Sequence, residues 1–175
     1  MNYSNTTLIH FKSMMNKLIT LERLLEIVNQ ARHERKKIAW TNGCFDIIHA
    51  GHVDYLHRSK AYGDLLIVGL NSDASVKKLK GDLRPIFSEM DRAKVLCSID
   101  YINYVVIFSD PSPIKMIELL KPDYYIKGGD YTIDTIDQNE RKVVESYGGE
   151  IVMLPLVAGV SSSIIVEKIK KLSVI

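Results

Sequence analysis

Residues 37–52 read KIAWTNGCFDIIHAGH, and the order of events within them sets the architecture. Lys37 to Thr41 is a strand-sized apolar run, Asn42-Gly43 breaks it, and the helical spacing of Val53 and Leu56 begins just after Gly51-His52. A strand that passes through a glycine turn straight into a helix is the first half of a βαβ unit. Such a turn leaves free backbone N–H groups and the positive end of a helix dipole facing one crevice.

Working outward, four more apolar runs are strand-sized: Leu65 to Leu70, Tyr104 to Phe108, Asp123 to Ile126 and Ile151 to Leu154. They are continuous rather than alternating, and the segments between them are long enough for helices. That is the pattern of a parallel sheet covered on both faces. Ahead of the first run, Leu21, Leu24, Leu25, Val28 and Ala31 recur at helical spacing, so a helix is expected over about 20–34 with Thr20 as its N-cap. Arg23 stands where a capping box would place Glu or Gln. Pro111, Pro113 and Pro122 bracket a helix over Ile114 to Lys121, and a last helix over about 162–172 carries Ile165, Ile169 and Leu172 on one side. The expectation is a single domain over 20–175, α/β, with a doubly wound, Rossmann-like five-stranded parallel sheet and helices on both faces. Residues 1–19 are expected to form a loosely ordered arm, and Met14 and Met15 leave the natural start open.

Composition narrows the function classes. The 175 residues suffice for one well-cored domain, and 46% hydrophobic with 25% charged residues is ordinary globular usage. A net charge of +2 from 23 interspersed basic and 21 acidic residues gives no broad footprint for nucleic acid. The first 19 residues hold no sustained apolar block, so neither a secretory signal nor a membrane anchor is expected. Cys44 and Cys97 make no disulfide framework, which suits a reducing cytoplasm.

In open parallel sheets the ligand crevice lies beyond the carboxyl ends of strands, where strand order reverses. Three loops that follow strands are unusual: TNGCFDIIHAGH (41–52), Lys127-Gly-Gly-Asp-Tyr131 and Val160-Ser-Ser-Ser163. The first combines His49 and His52 with a helix start, which favours an anion. The same residues with Cys44 can be read as a metal site, but the paired cysteines or two-part ligand spacing of structural zinc are missing. The bland reading makes His52 a helix-start residue and His49 a loop histidine. KGGDY offers close backbone approach and an acid for ribose hydroxyls, or a glycine turn with a solvated Asp130. Ser161, Ser162 and Ser163 offer hydroxyls and amides at another helix mouth, or caps. Lys77-Lys-Leu-Lys-Gly-Asp-Leu-Arg-Pro85 reads as a flexible basic loop able to close over phosphates, or as a solvated charged loop.

Taken together, His49-Ala-Gly-His52 after Gly43-Cys-Phe-Asp46 resembles the nucleotidyltransferase superfamily with an HxGH signature. Gly69-Leu-Asn-Ser-Asp-Ala-Ser75, Leu79-Lys-Gly81, Arg84-Pro-Ile86 and KGGDY are most similar to the adenylyltransferase domain of ADP-heptose synthases, which serve lipopolysaccharide and other surface glycans. The similarity runs over about 20–172. It implies that AMP passes from ATP to a heptose 1-phosphate, with pyrophosphate leaving and magnesium arriving on the triphosphate. It implies a nucleotide site of Thr41, Asn42, Phe45, His49, His52, Gly129, Asp130 and Ser161 to Ser163, in which Thr41 supports the loop. His49, His52 and a mobile Lys80 would act on the reacting phosphates, Lys78 being the alternative lysine. Asp46 and Lys127 would face the acceptor sugar phosphate. A sugar kinase precedes this domain in bifunctional members. The length here points to a stand-alone form, homodimeric and fed by a separate heptose kinase. One departure is informative: cytidylyltransferases of the superfamily carry RTxGIST, and Leu156-Val-Ala-Gly-Val160 holds no arginine. A cytidylyltransferase for glycerol 3-phosphate, or a nucleotide sensor without turnover, are the rival readings.

Overall fold

The computed structural model describes residues 16–129, 132–155 and 161–172. In chain order the elements are α1 (Leu21–His33), β1 (Ile38–Gly43), α2 (Ala50–Lys60), β2 (Leu65–Asn71), α3 (Asp73–Lys80) and α4 (Glu89–Cys97). Then follow β3 (Tyr104–Phe108), α5 (Ile114–Leu120), β4 (Tyr124–Gly128), α6 (Gln138–Ser146), β5 (Glu150–Leu154) and α7 (Ser162–Leu172). The five strands form one sheet in the order β3-β2-β1-β4-β5, and every pair is parallel. The chain winds outward from β1 to β3, then crosses back to place β4 on the other side of β1. The reversal point is therefore between β1 and β4, and side chains beyond their carboxyl ends share a crevice.

Successive strand residues serve opposite faces. Ala39, Leu66, Val68 and Val105 pack with Tyr55 and Leu56 of α2 and Ala93, Leu96 and Cys97 of α4. Ile38, Trp40, Ile67 and Val106 pack with Leu24 and Val28 of α1, Met116 and Ile117 of α5 and Val144 of α6. Both faces are dry, which is why the runs read as continuous apolar stretches. Thr20 caps α1, its hydroxyl accepting from the Arg23 amide at 3.3 Å.

Three expectations are revised. Residues 17–19, expected in the loose arm, are bound to the sheet edge: Leu18 bridges Val105, whose amide donates to the Lys17 carbonyl at 2.8 Å. The strands run past their apolar ends, pairing Asn42 with Gly69, Asn71 with Phe108 and Gly128 with Leu154. The ladder is a backbone property and continues into the polar residues that floor the crevice. Lys77 to Lys80, expected as loop, form the last turn of α3. Ser72 caps that helix by accepting from the Ser75 amide, Asp73 sits at its positive end and three lysines at its negative end. Gly81, at φ 90°, ends it in a conformation that favours glycine. No described helix is long and apolar enough to cross a membrane.

Candidate active site

The paired histidines stand at the start of α2. His49 is the extended N-cap residue (φ −138°), and its carbonyl accepts from the His52 amide at 2.8 Å. The His49 amide points back to His52 Nδ1 at 3.4 Å, and the two rings lie 4.0 Å apart, centroid to centroid. The His52 ring also lies 5.6 Å from Phe45. Burial, and secondarily the adjacent His49, depress His52 to about 4, and burial lowers His49 as well. Both rings are therefore neutral at neutral pH and carry one N–H donor each; because His52 Nδ1 accepts from the His49 amide, the Nε2–H of His52 is the one left to donate to an anion. His49 Nδ1 is buried and has no partner among the described residues. The turn that feeds this helix is strained, with Phe45 at φ 44°.

Beneath the turn, the Thr41 hydroxyl and Tyr55 hydroxyl lie 2.6 Å apart, and Tyr55 donates to the Ile126 carbonyl at 3.0 Å. Thr41 is 1% exposed. It supports the loop, as the resemblance implies: alternation along β1 turns its side chain toward Tyr55 below the crevice floor. Gly128 has to be small here, since a Cβ would come within 2.8 Å of the Tyr55 ring. Asn42 does face the crevice, its amide oxygen accepting from Tyr125 Oη at 3.0 Å.

Asp46, expected at the acceptor, is spent within the chain. Its Oδ2 pairs with Arg84 Nε at 2.5 Å, and Oδ1 accepts from the amides of Ile86 (2.7 Å) and Phe87 (3.1 Å). With two amides on Oδ1 and an arginine beside Oδ2, Asp46 fastens the 81–88 loop at the crevice. Arg92, 1% exposed, completes the fastening. It donates to the carbonyls of Phe87 (3.0 Å), Cys44 (2.5 Å) and Asn71 (2.9 Å) and pairs with Asp73 at 2.7 Å.

Lys80 lies at the crevice rim and is exposed, with no ion pair among the described residues; Lys78 is exposed on the preceding turn and does not line the crevice. Lys127 lines the wall but is neutralised by Glu140 at 2.7 Å, and Glu140 also accepts from Tyr125 at 2.8 Å. Ser161 is the cap of α7, its hydroxyl accepting from the Ile164 amide at 3.2 Å, while Ser162 donates to the Ile47 carbonyl at 3.3 Å. Gly129 continues β4, donating to the Leu154 carbonyl at 3.2 Å. Asp130 and the Ser163 side chain lie outside the described residues. The whole crevice measures about 750 Å³ and holds Asn42, Phe45, Asp46, His49, His52, Lys80, Arg84, Lys127, Ser161 and Ser162 on its walls.

Sequence reasoning missed Arg84, Arg92, Tyr125 and Glu140. Arg84 was quoted in a motif and adjoins the basic run, so a signal existed. Nothing in one sequence separates Arg92 from a surface arginine of an amphipathic helix. The metal reading gains no support: burial raises the Cys44 thiol, and the described residues contain no group of three His, Cys, Asp or Glu placed to hold an ion.

Comparison with known proteins agrees with this geometry. The chain is 48% identical over 153 residues to the bifunctional protein HldE of Geobacter metallireducens, covering 87% of this chain and 31% of that protein. It is 49% identical over 155 residues to the HldE of Helicobacter pylori, covering 89% and 32%. The chain thus spans about a third of the length of these relatives. Among solved structures it is similar to a lipopolysaccharide core biosynthesis protein from Thermoplasma volcanium, with a TM-score of 0.57 and 26% identity over 70% of this chain and 97% of the other. Pantoate-beta-alanine ligase from Francisella tularensis, with TM-score 0.56 and 11% identity over 90% and 78% of the two chains, shares the fold alone. The cytidylyltransferase-like family model matches residues 40–168, from the middle of β1 into α7. With that match spanning most of the chain and its paired histidines on the crevice wall, this protein belongs to the cytidylyltransferase-like family.

Proposed function

We propose that this protein transfers the AMP moiety of ATP to a heptose 1-phosphate, releasing pyrophosphate and forming ADP-heptose for lipopolysaccharide or another surface glycan. The observation that carries the chemistry is the pair of neutral imidazoles at the α2 N-terminus, 4.0 Å apart on the wall of the crevice at the strand-order reversal. The choice of sugar rests on the similarity of the motifs to the adenylyltransferase domain of ADP-heptose synthases, and on the identity to HldE proteins.

An oxygen of the sugar 1-phosphate attacks the α-phosphorus of ATP in line. A new P–O bond forms, the bond from the α-phosphorus to the bridging oxygen of the β-phosphate breaks, and pyrophosphate departs with that electron pair. The attacking monoester is already anionic near neutral pH, so no general base is required. Positioning and charge stabilisation supply the rate. His49 and His52 hydrogen-bond the triphosphate, joined by the amides of the turn at Phe45 and the side chain of Asn42. Lys80 swings in from the end of α3 over the reacting phosphates. The α7 mouth at Ser161 to Ser163 takes the β- and γ-phosphate oxygens, and Gly129 and Asp130 hold the nucleoside. Asp46 and Lys127 serve the acceptor side through the partners they already hold.

The crevice donors are imidazoles, ammonium and guanidinium groups and helix amides, which suit phosphates rather than a bare cation. Magnesium accordingly enters with ATP and supplies charge neutralisation on the triphosphate. The acceptor is a sugar 1-phosphate, so a kinase reaction must supply it. A cytoplasmic homodimer is the expected working form, and light scattering of the purified chain tests the dimer.

Pyrophosphate release across ATP, CTP and GTP, paired with a panel of sugar and polyol phosphates, tests the reaction. ATP with a heptose 1-phosphate is expected to be fastest. A preference for CTP with glycerol 3-phosphate overturns the assignment, and nucleotide binding with no turnover on any pair makes the chain a sensor.

A further inference from the structure

We propose that Arg84 binds the phosphate of the acceptor, with Asp46 as the buried carboxylate that positions it. This rests on the reading of the acceptor as a phosphate monoester. The Arg84 side chain is 19% exposed and that of Asp46 only 2%, and the two form an ion pair from Nε to Oδ2 at 2.5 Å. Both Nη groups of Arg84 have no partner among the described residues, and the residue lines the crevice with Lys80, His49 and His52. Asp46 keeps little charge to spare, because Oδ1 is held by the amides of Ile86 and Phe87. The residue lines the crevice beside its ion-pair partner, and a guanidinium there has Nη groups left for a ligand. A guanidinium fork matches two oxygens of a phosphate.

The other cations near the reacting centre are less suited. Lys127 is paired with Glu140, and Arg92 is buried and spent on three carbonyls and Asp73. Lys80 is an exposed, flexible point charge. Residues 156–160 contain no cation at all. Three ties hold the 44–49 turn. Ser162 of the α7 mouth is tied to Ile47, whereas Arg84 is tied to Asp46 and Arg92 to Cys44. One short turn therefore borders two cationic or amide-rich ends, as a reaction between two phosphate substrates requires. The helix mouths suit the long polyphosphate, and the Arg84 end is left for the monoester.

The test uses Arg84→Ala, Arg84→Lys and Asp46→Asn, with the acceptor of the panel that the wild-type chain turns over fastest. Wild-type failure on heptose 1-phosphate would count against the proposed sugar, while the Arg84 assignment is still read on that best acceptor. Arg84→Ala is expected to raise the acceptor KM about 10- to 100-fold, the worth of a lost charge-assisted pair. Affinity for α,β-methylene-ATP, by calorimetry, should stay within about two-fold, since a contact confined to one substrate leaves the other's binding additive. Arg84→Lys should recover part of the KM. Asp46→Asn should raise the same KM more than it lowers kcat, and add nothing in the Arg84→Ala background. Equal loss of nucleotide affinity, or an unchanged acceptor KM in a variant that melts like wild type, overturns the assignment. Full additivity of the two substitutions overturns the positioning role of Asp46.

Discussion

Both ends of this sheet carry a cavity lined by basic residues, and they are built for opposite purposes. At the amino end, about 420 Å³ is bordered by Arg32, Arg35, Lys36, Lys37 and Lys121. Helices finish there, and their last carbonyls need donors. Arg32 donates to the carbonyls of Leu120 and Lys121 at the end of α5. Lys36 pairs with Glu34 and Lys37 with Asp123. Most of that charge is answered by the chain itself. At the carboxyl end helices begin, so amides are in surplus, and there His49 Nδ1, Lys80 and the Nη groups of Arg84 have no partner among the described residues. A basic lining alone does not mark a ligand site. Unanswered donors next to helix starts do.

The largest test of that contrast is His52→Ala. Loss of a donor aimed at developing phosphate charge is expected to cut turnover about 10²- to 10³-fold. The thermal midpoint should move little, since His52 is only partly buried and the bond its ring accepts from the His49 amide is long, at 3.4 Å. Pyrophosphate release measured beside a melting curve separates the two, and turnover near the wild-type rate would remove the histidines from the mechanism. Next in size is Tyr55→Phe under the crevice floor. It strands the Thr41 hydroxyl and the Ile126 carbonyl, a loss of about 1–3 kcal/mol in urea unfolding with a smaller effect on rate. Smaller again is Arg32→Ala at the amino end. An exposed donor to helix carbonyls is worth about 1 kcal/mol or less, and pyrophosphate release should match wild type. A turnover loss at Arg32 comparable to that at His52 would break the contrast between the two ends.

The architecture was legible because burial on both faces writes itself into composition: each of the five apolar runs is a strand. Their carboxyl ends were not legible, because Asn42, Gly43, Asn71 and Gly128 are polar or small yet keep ladder pairing. That matters for function, since those residues floor the crevice. The histidine pair at a helix start could be read from spacing and helix logic, and its role on phosphates from the resemblance. The partner of Asp46 could not. Whether a carboxylate faces a ligand or an arginine 38 residues further along depends on where the 81–88 loop returns, and single-sequence patterns carry no such long-range contact. Lys77 to Lys80 misled for a related reason: three lysines suggested a solvated loop, although Ser72 and Asp73 form a sound helix start and the lysines suit its negative end. Arg92 shows the limit most plainly, for it is as buried as the core leucines around it.

The smallest expected effect is a fraction of a proton, and it probes the same difference between answered and unanswered groups. His52 is depressed to about 4 by burial first and by His49 second. In the unfolded chain a histidine titrates near 6.5. Between those values the unfolded state binds more protons, so the contribution of His52 to stability is whole above about 6.5 and is lost as pH falls toward 4. His52→Asn should flatten the acid side of the stability profile in that window. A bound triphosphate places negative charge against the same ring and pushes its pKa up, so nucleotide binding should take up protons as pH falls from 7 toward 5. Calorimetry of α,β-methylene-ATP binding in buffers of different ionisation enthalpy reads this uptake directly. Wild type should show a fraction of a proton per nucleotide and His52→Asn less. Equal uptake in both would mean that the proton is bound elsewhere and that the ring does not face the phosphates.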